Sequence, residues 1–255
     1  KVLEYRNKGI RIGLAIGGWE AGGFSPAMKT QEGRTKLINS IMKLIDEYQF
    51  DGIDIDWEYP TSSVAGIESD PSDRTNLTLF CQELKERMKE YRDDLILSIA
   101  ITASTRYYDL AALNNYVDFF NVMTYDFAMG TKAQHNSALY TTIASPSSLD
   151  ASVGLVSKYV DNDKIIPGAA FYIRKGTFRN GVSQQLGSSL KTTIGSGSMT
   201  FANLMNLIKN NDQYTEQYDE NAKAAYIICD NVFYSYDNVQ SIKDKCQYVK
   251  DNNLA

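Results

Sequence analysis

Short apolar segments alternate with amphipathic ones along the first two thirds of the chain. The apolar segments lie at residues 10–19, 50–58, 95–103, 117–126 and 164–173. Between them, apolar residues recur every three or four positions, as in Leu37, Ile38, Ile41, Leu44, Ile45 and Tyr48, and again in Leu77, Phe80, Cys81, Leu84, Met88 and Tyr91. This spacing predicts helices buried on one face, and the short segments predict strands. Strands that alternate with helices indicate a parallel sheet.

The pattern changes after Arg174. Gly, Ser and Thr dominate up to residue 200, and two apolar runs at 225–229 and 232–236 flank Asp230-Asn231 as in a hairpin. A last helix carries apolar residues on one face, namely Val239, Ile242, Cys246 and Val249. We therefore predict a main α/β domain over residues 1–174 and 237–255, with a small α+β insertion subdomain over residues 175–236.

Bulk properties exclude several classes of protein. At 255 residues and 43% hydrophobic content the chain can bury a sizeable core. Its net charge of −5 argues against nucleic acid, because phosphate binding needs clustered Lys and Arg. No stretch reaches the ~20 apolar residues that a membrane span requires.

The cysteines and the single histidine suggest no chemistry. Cys81, Cys229 and Cys246 fit neither a disulfide framework nor a zinc pattern. Cys81 and Cys246 fall on apolar helical stripes, so we expect buried, inert thiols. His135 stands in a polar stretch, where we expect a solvated loop, and no Ser/His or Cys/His arrangement is implied.

Three carboxylates share one face of the predicted strand 50–58. Residues two apart point to the same side of a strand, so Asp54, Asp56 and Glu58 lie on one face, and Trp57 lies on the opposite, core-facing side. Carboxylates about 7 Å apart repel by roughly 2.4 kcal/mol at an effective dielectric of ~20. Such a row is tolerated when neighbours share protons, which is what an acid catalyst needs. We predict that Glu58, at the strand end, donates the proton and that Asp56 is its proton-sharing neighbour.

Two other interpretations of this row, and of the sheet, are open. A calcium loop and a solvated charged edge would also be acidic, but Ile at both spacer positions favours a strand. Five parallel strands are consistent with an open doubly wound sheet, whereas a closed (β/α)8 barrel needs eight.

The sequence motif that contains this acidic row favours the strand and the closed barrel, because it resembles the motif of a known family. Asp51-Gly52-Ile53-Asp54-Ile55-Asp56-Trp57-Glu58 resembles the signature of family-18 glycoside hydrolases of the chitinase type, Asp-Gly-x-Asp-x-Asp-x-Glu, with every fixed position filled. Residues 15–19, 123–126, 168–174 and 235–238 are similar to further segments of that family, in the same order. The resemblance covers essentially the whole chain. It implies a (β/α)8 TIM barrel, with strands 3 to 7 present, and an insertion after the seventh strand.

That strand count carries an expectation about the polypeptide. Two barrel strands would precede Lys1 and one would follow Ala255. We therefore expect the chain to be part of a longer polypeptide, and to be poorly soluble and essentially inactive when expressed alone.

The resemblance also implies an activity and a site. Family members cleave β-1,4-linked N-acetylglucosamine with retention, using the 2-acetamido oxygen of the sugar as nucleophile. The catalytic residues implied are Glu58, Asp56, Asp54 and Tyr125. The substrate-binding residues implied are Trp19, Met123, Asp126, Tyr172 and Arg174. No cofactor or metal is implied.

Two positions depart from the family pattern. Ala15 replaces a Ser that normally hydrogen-bonds the inner Asp pair, so we expect Asp54 to have one partner fewer. Ile173 stands where relatives usually have Gly.

The partners implied are chitin or another N-acetylglucosamine glycan, with no nucleic acid and no membrane, for a secreted monomer. An endo-β-N-acetylglucosaminidase acting on glycoprotein or peptidoglycan remains an alternative within the same chemistry. A chitinase-like lectin, which lacks the acid, is an alternative from another class.

Overall fold

A computed structural model describes residues 2–191 and 195–255. The chain divides into two compact units. The first comprises Lys1–Val122, Val156–Ile166 and Ala255, and the second comprises Met123–Leu155 and Pro167–Leu254.

The first unit is built around parallel strands. Its helices and strands are α1 Val2–Arg6, β1 Gly13–Gly17, α2 Phe24–Met28, α3 Gln31–Tyr48, β2 Gly52–Asp56, α4 Asp73–Tyr91, β3 Ile96–Ile101, α5 Leu110–Leu113, β4 Phe119–Val122 and β5 Ile165–Pro167, the last preceded by a 3-10 turn. The sheet order is β1-β2-β3-β4-β5, and β1 to β4 pair in parallel.

Every strand of the parallel sheet is shorter than the apolar segment that predicted it. The segment 50–58 contains only five residues of β2, because the ladder with β1 ends at the pair Gly17 and Asp56. Glu58 therefore lies two residues beyond the strand. In the same way Met123 and Tyr125 follow the end of β4 at Val122.

The helices form where the apolar spacing predicts them. α3 begins after Thr30, whose side chain accepts a hydrogen bond from the Gly33 amide, and ends at Gln49 in the left-handed region, φ 58°. It buries four apolar residues, Ile38, Ile41, Met42 and Ile45. α4 buries Leu77, Phe80, Cys81, Leu84 and Met88. The two helices also contact each other.

The second unit contains an antiparallel sheet. Its helices and strands are α6 Leu149–Val156, which ends in the first unit, β6 Tyr172–Thr177, β7 Gly195–Thr200, α7 Phe201–Asn210, β8 Gln217–Asp219, β9 Ala224–Cys229, β10 Val232–Tyr236 and α8 Val239–Asp251. The sheet order is β7-β6-β10-β9-β8. Asp230 and Asn231 both have positive φ, 50° and 64°, which is typical of the two-residue turn of a hairpin. The assignment of residues 175–236 to an insertion stays a prediction, and the antiparallel sheet itself begins at Tyr172.

Two single-residue predictions were wrong. His135 is fully buried, because its Nε2 lies 3.1 Å from Asp219 Oδ2 and its backbone amide donates to Ser145 Oγ. Cys246 is exposed at the edge of a groove on α8, whereas Cys81 is buried as predicted. Burial raises the pKa of the Cys81 thiol to about 12, which keeps it protonated. None of the described helices is long and apolar enough to cross a membrane.

Candidate active site

The site in the first unit begins with a close approach of two backbones. Gly17 has φ 120°, and a Cβ there would stand 1.9 Å from the carbonyl oxygen of Asp56. Gly18, with φ 107°, donates its amide to the same oxygen at 2.8 Å. Only glycine fits at residue 17, so the Gly-Gly turn fixes the end of β1 against the end of β2. Trp19 follows directly and is 54% exposed, so it is available for stacking.

Asp54 is anchored by two side chains from other strands. Its Oδ1 accepts a hydrogen bond of 2.6 Å from Ser98 Oγ and one of 2.8 Å from Asn121 Nδ2. Ala15 is its register partner on β1 and offers no hydroxyl. Sequence reasoning missed both donors. The available signal was a single polar residue inside each of two apolar strands.

Asp56 lies between two other carboxylates and is partly buried. Burial, then the charge of Glu58, then that of Asp54, raise the pKa of Asp56 to about 6. Its Oδ1 is buried and accepts no hydrogen bond from the described residues. Because both neighbouring charges disfavour ionisation, Asp56 retains a proton to higher pH than an ordinary aspartate. The raised pKa is compatible with the predicted proton sharing, and the roles of Asp56 and Glu58 stay predictions.

Aromatic side chains surround the end of β2. Trp57 is 2% exposed and stacks on Phe24 with centroids 5.4 Å apart, which confirms its predicted core role. Tyr59 stacks on Tyr107 at 5.0 Å. Burial, the charge of Glu58 and a hydrogen bond to Glu58 raise the pKa of Tyr59, so its hydroxyl stays protonated and can donate to that carboxylate. Tyr59 therefore places an aromatic side chain beside the Glu58 carboxylate.

A second cluster of predicted site residues lies in the second unit. Asp126 Oδ1 accepts hydrogen bonds from Arg174 Nε at 3.0 Å and from Tyr172 Oη, and lies 2.6 Å from a terminal guanidinium nitrogen of Arg174. Asp126 has φ 59°, an uncommon conformation for a residue other than glycine. The Tyr125 ring meets the Tyr172 ring edge to face at 6.1 Å.

Burial and the hydrogen bond to Asp126 raise the pKa of Tyr172. Its hydroxyl therefore remains a donor across the neutral range. Met123, three residues before Asp126, is half-buried.

The structure brings the predicted residues together within each unit. Asp54, Asp56 and Glu58 adjoin one another in the first unit, and Tyr125, Asp126, Tyr172 and Arg174 form one cluster in the second. Their individual roles stay predictions. Across residues 2–191 and 195–255 no group of three or more His, Cys, Asp or Glu side chains could hold a metal ion.

Known proteins show what the chain is similar to. The model described as Glycosyl hydrolases family 18 matches residues 1–255. Chitinase A1 of Niallia circulans is 31% identical over 99% of this chain and 40% of its own length. Probable chitinase 2 of Drosophila melanogaster is 28% identical over 99% of this chain and 56% of its own length. The chain therefore spans about half the length of these curated relatives.

A solved structure gives the same result for the fold. It is described as a novel glycoside hydrolase family 18 N-acetylglucosaminidase from Paenibacillus barengoltzii, is 36% identical, and superposes with a TM-score of 0.89 over 99% of this chain and 78% of that one. This likeness confirms the predicted (β/α)8-barrel class over the open doubly wound sheet. Among the described residues the chain has a five-stranded sheet, in which β1 to β4 pair in parallel, and a separate antiparallel sheet. The chain belongs to glycosyl hydrolases family 18.

Proposed function

We propose that the protein hydrolyses β-1,4-linked N-acetylglucosamine in chitin or chito-oligosaccharides, with Glu58 as the acid. The observation that carries the proposal is Asp56, whose pKa is raised to about 6 beside Glu58 and Asp54. Families of this type are exceptions to the scheme of two opposed carboxylates. The relatives named above, two chitinases and an N-acetylglucosaminidase, support the substrate class.

The first chemical step breaks the glycosidic bond. Glu58 transfers its proton to the oxygen that leaves with the departing sugar, and the bond from that oxygen to the anomeric carbon breaks. The carbonyl oxygen of the substrate's own 2-acetamido group attacks the anomeric carbon from the other side, giving a cyclic oxazolinium ion. Water then attacks the anomeric carbon from the side that the departing sugar left, and the bond from that carbon to the acetamido oxygen breaks. The Glu58 carboxylate takes a proton from this water, which restores the acid, and the two inversions together retain the anomeric configuration.

Asp56 assists this step through its charge. As a carboxylate it accepts the acetamido N–H and offsets the positive charge that develops on the oxazolinium ring. Asp54 is held by Ser98 and Asn121, which fixes its carboxylate on the strand that also carries Asp56.

The second cluster would bind the sugar. The Tyr125 hydroxyl donates to the acetamido carbonyl, Asp126 accepts from a sugar hydroxyl, and Met123 lines the same surface. Arg174 and Tyr172 hold Asp126 in its left-handed conformation. Trp19 provides an exposed ring for stacking on a sugar face.

The test is turnover. A polypeptide that contains residues 1–255, incubated with a chromogenic chito-oligosaccharide, should release the chromophore, and NMR of the nascent product should show the β anomer first. Release of the α anomer first would contradict retention, and binding without release would favour the lectin alternative. We further propose that the protein acts outside the cell, because its polymeric substrate cannot enter a cell, and fractionation of a native culture tests this. We also propose that the protein is a monomer, which size-exclusion chromatography tests.

A further inference from the structure

A buried ion pair lies in the second unit, and neither of its residues has been assigned a role above. Lys245 on α8 and Asp237 just before α8 are each 5% exposed. Lys245 Nζ lies 2.6 and 2.7 Å from the two carboxylate oxygens of Asp237, and it donates a third hydrogen bond of 2.7 Å to Ser137 Oγ. All three ammonium protons therefore have an acceptor.

The pair is the centre of a longer chain of hydrogen bonds. The Ser137 hydroxyl, which accepts from Lys245, donates to the Thr124 carbonyl oxygen at 2.7 Å. Asp237 Oδ2 also accepts the Ala170 amide at 3.2 Å. The Thr124 hydroxyl donates to the Gly168 carbonyl oxygen at 2.6 Å. Lys245 is thus connected to residues 124 and 168–170 at once.

These two segments carry the proposed sugar-binding residues. Thr124 lies directly between Met123 and Tyr125, and Ala170 lies two residues before Tyr172. The segments are also joined by Asp126, which accepts from Tyr172 and Arg174. The segments are therefore connected twice, once through Lys245 and Asp237 and once through Asp126.

Stability alone does not account for such an arrangement. Removing two charges from water costs free energy that their attraction often does not recover, and apolar side chains of similar volume are frequently as stable. What a fully satisfied polar network does provide is a single geometry, because each donor has one acceptor. The network here fixes the backbone on both sides of Tyr125 and Tyr172.

We propose that Lys245 is a positioning residue for the reaction, acting through Ser137 on Tyr125 and through Asp237 on the segment before Tyr172. This inference rests on the proposed function. It assigns Lys245 no contact with substrate.

Ser137→Ala tests the inference, because it removes the connection to Thr124 and leaves the pair of Lys245 and Asp237 intact. Ser148→Ala is the matched control: Ser148 is also a fully buried serine of this unit, and its hydroxyl also makes two hydrogen bonds, with Thr141 Oγ1 and the Ala151 amide. Both variants should lose thermal stability to a similar degree.

Only Ser137→Ala should lose activity. We expect kcat and kcat/KM on a chromogenic chito-oligosaccharide to fall together by about 10-fold or more, since the proposed hydrogen bond from Tyr125 to the substrate's acetamido carbonyl strengthens in the transition state. Ser137→Thr, which keeps the hydroxyl, should recover most of the loss. Kinetics of Ser137→Ala within twofold of those of Ser148→Ala would overturn the inference.

A second measurement separates this inference from the proposed function. Amide hydrogen exchange at Tyr125, Asp126 and Tyr172 should be faster in Ser137→Ala than in Ser148→Ala, whether or not the protein turns over this substrate. If the unsubstituted protein is inactive while exchange differs in this way, the substrate is wrong and the positioning stands. Equal exchange in both variants overturns the positioning.

Discussion

The side-chain amide of Asn121 on β4 reaches across β3 and donates a hydrogen bond of 2.8 Å to Asp54 on β2. Hydrogen bonds to a charged group contribute about 1.5–3 kcal/mol. Asn121→Ala should therefore lower the free energy of unfolding by about 1–2 kcal/mol and reduce kcat several-fold, because Asp54 loses one of its two anchors. Urea unfolding and chromogenic kinetics measure both quantities. Asn39→Ala on the exposed face of α3 is the control, and equal behaviour of the two variants would contradict the anchoring role.

The contribution of Asn121 shows where the sequence stops being informative. The spacing of apolar residues predicts the strands and helices of the first unit, since burial of a face imposes a period. The row of Asp54, Asp56 and Glu58 predicts the site, because three acidic residues at alternate positions repel one another. The donors to Asp54 come from strands more than forty residues away, and no local pattern reveals which polar residue will face which carboxylate.

His135 and Cys246 were mispredicted for related reasons. His135 has polar neighbours in sequence, yet it is buried, and the carboxylate of Asp219, which lies 84 residues later, accepts a hydrogen bond from its Nε2. Cys246 lies on the apolar face of α8, but that face borders an open groove with Ile242 and Val249. Local hydrophobicity predicts which face of a helix is apolar, and the tertiary contacts determine how much of that face is buried.

Replacing Glu58 by a residue that cannot act as an acid should abolish most turnover. Glu58→Gln keeps the shape of the side chain but cannot donate a proton to the leaving oxygen, so kcat should fall roughly 10²- to 10⁴-fold, the usual range for general acid catalysis. Binding of a chito-oligosaccharide, measured by calorimetry, should persist. Glu47→Gln makes the same chemical change at an exposed position of α3 and should have no effect. Near-normal turnover by Glu58→Gln would exclude Glu58 as the acid.

The substrate's acetamido group should be required at the cleaved unit. In the first unit the carboxylates beside Glu58 are Asp56 and Asp54, on the same strand, and Asp54 is occupied by two hydrogen bonds. The protein should therefore cleave acetylated chito-oligosaccharides and leave the fully deacetylated ones intact, as measured by chromatography of the products. A thiazoline that mimics the cyclic intermediate should inhibit, because transition-state-like ligands bind more tightly than substrate. Comparable rates on chitosan would rule the mechanism out.

Asp56 should make the protein less stable as the pH rises. Its folded-state pKa of about 6 exceeds the ordinary value of about 3.9, so its stabilising contribution is complete below pH ~4 and is lost as the pH rises through ~6. Asp56→Asn does not titrate. After allowance for solvent screening, this variant should exceed the unsubstituted protein in unfolding free energy by about 1–2 kcal/mol above pH ~6, and the difference should shrink towards pH ~4.

Urea unfolding at several pH values measures this difference. Asp93→Asn, at an exposed carboxyl after α4, serves as the control and should follow the unsubstituted protein. Stability curves of Asp56→Asn and the unsubstituted protein that run parallel from pH 4 to pH 7 would show that Asp56 titrates normally. Asp56→Asn should also turn over poorly, which illustrates a site that is maintained at a cost in stability.

Gly17 and Gly18 form a natural pair for testing the contact between β1 and β2. Both have positive φ, so alanine strains the backbone at either position, by about 1–3 kcal/mol. Only at Gly17 would the new Cβ meet other atoms, at 1.9 Å from the Asp56 carbonyl oxygen, whereas nothing lies within 4 Å at Gly18. The backbone of Asp56 must therefore move in Gly17→Ala, and a shift of about 1 Å at a catalytic group can cost about 10²-fold in rate.

We expect Gly17→Ala to be at least about 2 kcal/mol less stable than Gly18→Ala in urea unfolding, since overpacking at a rigid contact adds about 1–3 kcal/mol to the backbone strain. Its kcat/KM should be about 10-fold or more below that of Gly18→Ala under conditions where both variants are fully folded. Because the two substitutions create the same residue in neighbouring positions, the difference between them isolates the contact with Asp56. Equal stability and equal kcat/KM in the two variants would mean that β1 can withdraw from Asp56 without consequence for the carboxylates on β2.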